Sequence, residues 1–408
     1  MANAPTEFRY FERLREPMPR AVRAVSKRLF GFDPAPPREV AERFAAMYYD
    51  ADPLAEAFVD EVYLGRGRRQ GRAMLERALT EGVGAIEDAP ASLKALFADI
   101  EEDPEWVDWG SVERGARVFR RWGTAIFRFA GAVTLAAYAE SSVAKPLALT
   151  GAYAGGSTKH RFLETAAFWI AVSEPGGLRP SGDGRASALR VRIMHVFVRQ
   201  RLKQHPEWKL EDWGVPISQA DALLTLLGGS VVPGLGLKAM GYRTSVAEMR
   251  DAMHFWRYCG HLMGVRPRVH PNTIEEALQI LFMAAFRGAE TAGEDGRHLC
   301  RSFVDAFSPD ENAGLWAKLE DRIHRGFTRF FLPPPVYGAN RLPPAGPWAL
   351  LPLAMAPPIF GLETLRRLVP PLEELADAVA RRQRRRWLER HLPGRKAAYA
   401  PVQSLRGE

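Results

Sequence analysis

The residues of this sequence best placed to do chemistry are an arginine, a threonine and a histidine. Arg161 and Thr165 stand four apart in "KHRFLETAAFWIAVSEP" (159–175). On a helix that spacing puts them on one face, in line with Phe168 and Val172. A guanidinium on a packing face needs a partner. Glu164, one turn along, is the nearest carboxylate.

His195 is the third. It lies in "ASALRVRIMHVFVRQRL", and its side of a helix carries Ala188, Val191, Val198 and Leu202, while Ile193, Val196 and Phe197 cover much of the opposite side. A helix apolar nearly all round is a central core helix, so His195 is expected to be buried and neutral. Such an imidazole has two uses: a hydrogen bond inside the core, or donation to haem iron or another metal. Arg192 and Arg199, one turn before and after, are placed to meet haem propionates in the second case. His254 and His261, seven apart in "MRDAMHFWRYCGHLMGV", fall near one face of a helix rich in Phe255, Trp256 and Tyr258. They read as packing positions, with His261 the better placed of the two for a ligand contact.

Several other chemistries find no support. There is no HExxH or CxxCH, no GxSxG, no P-loop and no kinase element. "SVVPGLGLKAM" contains G-x-G-x-x-A but lacks the strand, the helix opening and the distant acid that a dinucleotide fold requires. Cys259 and Cys300 are too few for a disulfide framework or a Cys-based zinc site, and point to a reducing compartment. Acidic pairs in "IEEDPEW" and "PLEELAD" sit on exposed faces or at helix starts, where the macrodipole favours them.

The elements that must position these residues are helices. Segments of 3.6-residue periodicity run over about 38–63, 71–86, 91–103, 111–142, 158–174, 186–204, 216–228, 244–264, 272–292, 296–308, 313–330 and 371–391. They are punctuated by Gly and Pro clusters such as "SEPGGLRPSGDG" and "FLPPPVYGANRLPPAGP". No β alternation competes, so the expected fold is all-α. With 47% hydrophobic and 25% charged residues the composition is that of a globular protein, and the net charge of +8 allows contact with anionic membranes, nucleic acid or acidic substrates. Residues 1–40 read as an N-terminal arm, 41–331 as the helical body and 332–408 as a Pro-rich, basic appendage. The apolar stretch "WALLPLAMAPPIFGL" reads as too short to span a bilayer. The run Arg381, Arg382, Arg384, Arg385, Arg386 reads as a solvated face, with Leu372, Leu375, Val379 and Trp387 turned inward; nucleic-acid or anionic-lipid binding is the competing use.

Taken together, "HRFLETAAFW", "RVRIMHVFVRQ", "WGVPISQADALLTLL" and "HFWRYCGHLMGV" resemble the catalytic domain shared by latex clearing proteins (rubber oxygenases) and MpaB-type oxygenases, over about residues 60–300. The resemblance implies an all-helical bundle with a globin-like core and a non-covalent haem b. It implies His195 as axial iron ligand and Arg161 and Thr165 as pocket residues, with dioxygen as co-substrate. Two positions depart from the family. Latex clearing proteins carry a lysine just before the pocket threonine, where this chain has Glu164, and the glutamate they use as a base has only Glu140 as a counterpart, at a spacing that does not match.

The expected function is therefore a haem-dependent oxygenase of a small hydrophobic, isoprenoid- or lipid-like substrate, working by C=C cleavage. A haem-binding sensor or peroxidase-like protein, and a non-haem scaffold docking on membranes or nucleic acid, are the alternatives. No apolar signal region opens the chain, and the expected location is the cytoplasm, with peripheral membrane contact.

Overall fold

A computed structural model describes residues 4–151, 157–392, 399 and 405–406. Among them all regular structure is helical, as the periodicity predicts. The helices of nine residues or more are α1 (Pro17–Phe30), α2 (Arg38–Ala46), α3 (Arg68–Glu81), α4 (Ala91–Glu101), α5 (Trp109–Arg121), α6 (Ala125–Ala137), α7 (Ser141–Thr150), α8 (Ser157–Ser173), α9 (Asp183–Lys203), α10 (Gln219–Gly229), α11 (Val246–Leu262), α12 (Ile274–Ala285), α13 (Gly293–Val304), α14 (Leu315–Phe331), α15 (Ala356–Leu368) and α16 (Pro371–His391).

Local chemistry sets their ends. Ser245 and Glu248 form a reciprocal capping box at the start of α11, and the Asp108 side chain accepts from the Gly110 and Ser111 amides to open α5. The helix expected over 111–142 is broken by Gly123, which takes φ +58°, a conformation open to glycine at little cost. The segment expected over 38–63 breaks where Asp52 caps a short helix beginning at Pro53.

The core is assembled on the crossing of α5 and α11. Gly115 makes this approach possible: a Cβ there would lie 2.1 Å from the Asp251 carbonyl oxygen. Phe119 of α5 then packs on Trp256 and Phe255 of α11 (5.2 and 6.3 Å between ring centroids) and reaches Trp169 of α8 at 6.4 Å. The N-terminal arm is not an extended arm. Phe8 and Tyr10 enter a second apolar cluster with Phe44, Tyr48, Ile280 and Met283, and 17–30 forms α1, whose Met18, Val25 and Leu29 remain exposed.

The C-terminal region corrects two expectations. Gly346–Leu368 forms one helical run of 23 residues, long and apolar enough to cross a membrane by length and composition. Its prolines fall in the first turns of successive short helices, where a missing N–H costs nothing. Helix α16 is also rotated relative to the expected face. Asp377, Ala380, Arg384 and Trp387 point inward, and Leu375 and Val379 are exposed. The reason is electrostatic: Asp377 binds the buried Arg120 of α5 at 2.6 Å. Arg384, fully buried, donates to Ser173 Oγ at 2.8 Å and lies over the faces of Phe119 and Phe127.

Candidate functional site

Helices α8 and α9 form an antiparallel pair joined by the turn at 174–182. Their closest approach is at Gly184, where an added Cβ would lie 2.6 Å from Val172 Cα. Eleven residues back along α8 stands Arg161, and eleven forward along α9 stands His195, so with equal rise per residue the two lie level on neighbouring helices.

His195 sits among the buried side chains of Ala188, Val191, Val198 and Leu202, and is itself half-buried. Burial, reinforced by the nearby Arg199 cation, lowers its pKa to about 4, so the ring is neutral at pH 7. No hydrogen bond ties the ring to another described residue, which leaves a ring nitrogen's lone pair uncommitted. Among the described residues no three His, Cys, Asp or Glu side chains gather as a metal site. An iron held at His195 would thus need a macrocycle to complete its coordination, and a single uncommitted, neutral imidazole is the donor that haem takes.

On α8, Arg161 Nη1 donates to Glu164 Oε2 at 2.9 Å, so the nearest carboxylate is indeed the guanidinium's partner. Glu164 is buried, and His160 Nε2 lies 3.6 Å from its other oxygen. The Thr165 hydroxyl donates back to Arg161 O at 3.0 Å. Turning it toward a ligand costs that bond, about 1 kcal/mol.

The flanking arginines are placed differently from the propionate reading. Arg185, Arg192 and Arg199 recur at heptad spacing along α9, and each is consumed by protein. Arg185 donates to Tyr258 OH at 3.0 Å and to the Ile100 carbonyl. Arg192 holds Asp52 through two bonds (2.7 and 2.9 Å) and Asp99 at 3.1 Å. Arg199 donates to Pro216 O and Ile217 O at 2.9 and 2.6 Å, beside Glu56. The ladder ties the central helix to α4, to α11, to the Asp52 cap and to the 214–218 loop. It holds the His195 helix in place and commits the Arg192 guanidinium, while Arg199 keeps one buried nitrogen, Nη1, without a hydrogen bond, 3.6 Å from Glu56. Asp52, Asp99 and Arg185 escaped the sequence reading because their partners are distant in the chain.

The remaining candidates stand apart from this pair of helices. His261 is buried with Nε2 lacking a partner, stacked on Tyr258 and edge-on to Trp106. Burial, with Arg266 adding to it, lowers its pKa to about 4; its charged neighbours are Arg266, Asp99, Arg192 and Arg185. Glu140 lines a surface pocket with Tyr48, Arg287 and Gly288 at the α6–α7 junction. Burial raises its pKa, against the pull of Arg287. No recorded contact joins it to Arg161, Thr165 or His195. One neighbour that the sequence did not signal is Tyr399, which hydrogen-bonds Ser187 of α9 and lies near Glu164 of α8.

The helical fold and this pair of helices define a class. The family model described as the catalytic domain of ER-bound oxygenase mpaB/B'/Rubber oxygenase matches residues 116–358, more than half of the chain, and the chain belongs to that family. Rubber oxygenase of Streptomyces sp. (strain K30) is 26% identical over 234 residues, 56% of this chain and 55% of that protein. The chain thus spans about half the length of that curated relative. The structure of latex clearing protein LCP in the closed state aligns with a TM-score of 0.57 over 84% of this chain and 91% of that one, at 19% identity, which shows the shared helical fold.

Proposed function

We propose that the chain is a haem b-dependent oxygenase that cleaves a C=C bond of an isoprenoid- or lipid-like substrate, with dioxygen as co-substrate. The observation that carries this reading is His195: a half-buried, neutral imidazole with no hydrogen bond to another described residue, on the central helix that packs against the helix of Arg161. Membership of the oxygenase family and the likeness to a rubber oxygenase support the reaction class.

In this reading His195 holds the iron, and the chemistry haem supplies when bound is dioxygen activation. Arg161 and Thr165 bind and orient: the guanidinium offers fixed positive charge to an anionic group, and the hydroxyl offers one hydrogen bond. Phe168 and Trp169 on α8 supply apolar wall. Glu164 is the only carboxylate bonded to Arg161 among the described residues, so it, rather than Glu140, sets the charge beside the guanidinium. Its pairing with Arg161 also favours a second reading, a haem-binding sensor or peroxidase-like protein without oxygenase turnover, because the positive charge is already partly neutralised.

The test is spectroscopic and then catalytic. Purified or haemin-reconstituted protein should show a Soret band. His195→Ala should lose haem, and Arg161→Ala should keep it while oxygen consumption with unsaturated polyprenyl or lipid substrates collapses. Protein that cannot take up haemin sinks both haem readings, and haem uptake without any oxygen consumption selects the second. Full haem occupancy in His195→Ala would move the ligand assignment to His261.

A further inference from the structure

Helix α15 is built inside out. Its charged residues face the protein: Glu363 and Arg366 are buried and bonded to each other at 3.0 Å. Arg121 of α5 reaches Glu363 at 3.2 Å and Glu248 of α11 at 2.7 Å, and Arg366 closes the ring to Glu248 at 3.1 Å. The Arg243 amide also donates to Glu363 Oε2. The opposite face carries Leu362, Leu365 and Leu368, which are 68%, 47% and 74% exposed. Rotating the helix to hide its leucines would break the Arg121–Glu363 and Arg366–Glu248 links and turn the buried Glu363 and Arg366 away from them, so the outward orientation is specified.

Helix α16 packs against α15 and carries an exposed stripe of its own. Leu375, Val379, Arg382 and Arg386 follow at spacings of four, three and four, so they form one stripe. The first two are exposed apolar residues. Arg382 and Arg386 are exposed and have no ion-pair partner among the described residues, whereas the neighbouring Arg381 and Arg385 both bind Glu174. Exposed leucines on α15 and, on the helix packed against it, a stripe of exposed apolar residues and arginines without ion pairs, in a chain of net charge +8, complement a partner with an apolar interior and an anionic surface.

We propose that the α15–α16 face docks on an anionic lipid bilayer, with α15 lying in the membrane plane. The 346–368 run does not cross the bilayer, because the Glu363–Arg366 network fastens its C-terminal half to α5 and α11. This docking is independent of the haem reading and places the body of the protein at a membrane surface.

The full chain is tested by co-sedimentation with vesicles of pure phosphatidylcholine and of phosphatidylcholine mixed with phosphatidylglycerol. Binding is expected to the mixed vesicles and to weaken with salt. R382Q/R386Q should lower partitioning onto anionic vesicles roughly thirtyfold, at about 1 kcal/mol per arginine, with little effect on neutral ones. L362E/L365E/L368E should lower it roughly a hundredfold or more on both, and far-UV circular dichroism should stay unchanged because these side chains already face water. Equal binding of parent and both variants overturns the proposal. So does binding lost only when Met18, Val25 and Leu29 of α1 are replaced. A dimer dispersed by the leucine variants, in protein that does not bind vesicles, would assign the face to a second copy of the chain instead.

Discussion

Replacing Arg192 separates a framework arginine from a cofactor-binding one. In the structure its guanidinium is 1% exposed and holds Asp52, itself 5% exposed, through two bonds, with Asp99 at 3.1 Å. Arg192→Met keeps most of the volume and removes the charge, which leaves Asp52 buried without its partner. Breaking a buried pair from one side costs roughly 3 to 5 kcal/mol. With an unfolding entropy near 2.1 cal/mol/K per residue over 408 residues, that corresponds to a fall of roughly 4 to 6 °C in Tm. The assay is thermal and denaturant unfolding of haem-free protein, followed by haemin titration of the protein that remains folded at low temperature. Adding Asp52→Asn should show a coupling of at least about 1 kcal/mol, because the second change removes the charge that the first left stranded. The argument is refuted if haem-free R192M unfolds within about 1 °C of the parent while its haem affinity drops. That outcome would return Arg192 to the propionate role its position beside His195 first suggests.

Other outcomes follow from single observations. His324 is 1% exposed, and burial lowers its pKa to about 4; the unfolded chain then binds the proton more readily, so its contribution is intact above about pH 6.5 and drains as pH falls to 4, by roughly 3 kcal/mol in all. His324→Gln should therefore flatten the acid-side slope of stability against pH by about one proton, measured by urea titrations from pH 7 to 4.5. Gly115→Ala should cost at least about 2 kcal/mol by forcing a methyl against the Asp251 carbonyl. Gly228→Ala, with nothing within 4 Å of its added carbon, should be neutral or stabilise α10 by up to about 1 kcal/mol in the same unfolding assay. In the haem-loaded protein, Glu164→Gln should tighten azide binding by about fivefold by removing the charge that neutralises Arg161; an unchanged affinity would show that Arg161 does not face the iron.

Much of the fold was legible because helix periodicity and breakers are local. The segments at 91–103, 158–174, 186–204, 244–264 and 371–391 correspond to α4, α8, α9, α11 and α16 within a few residues at each end. The misses are also physical. A single glycine at 123 interrupts a pattern that otherwise continues through 142, and periodicity does not register one residue's φ. Prolines at 352, 357 and 358 read as breakers, yet each stands in a first turn where helix tolerates it. The face of α16 was misplaced at Leu375 and Val379, though not at Trp387, because hydrophobicity was taken to point inward, and the exposed leucines of α15 had no sequence signal. Arg121, Glu248 and Arg120 decide that orientation, and they lie more than a hundred residues away.

The same division holds at the site. Arg161, Glu164 and Thr165 were readable together because their mutual bonds run three and four residues along one helix. The central place of the His195 helix was readable from its apolar surround, whereas His195 itself, expected to be buried, is only half-buried. What Arg192 and Arg199 do was not readable, since proximity on a helical wheel says which way a side chain leaves the backbone and nothing of what awaits it. A seven-residue arginine spacing fits a cofactor cradle or a set of framework bonds equally well, and only Asp52, Asp99 and the carbonyls of Pro216 and Ile217 distinguish them. With Arg192 committed, Arg161 is the pocket cation on which the proposed function rests, and Glu164 is bonded to it. A buried carboxylate bonded to that cation at 2.9 Å holds it in place, so the proposed role of Arg161 turns on Glu164, which the Glu164→Gln azide titration tests.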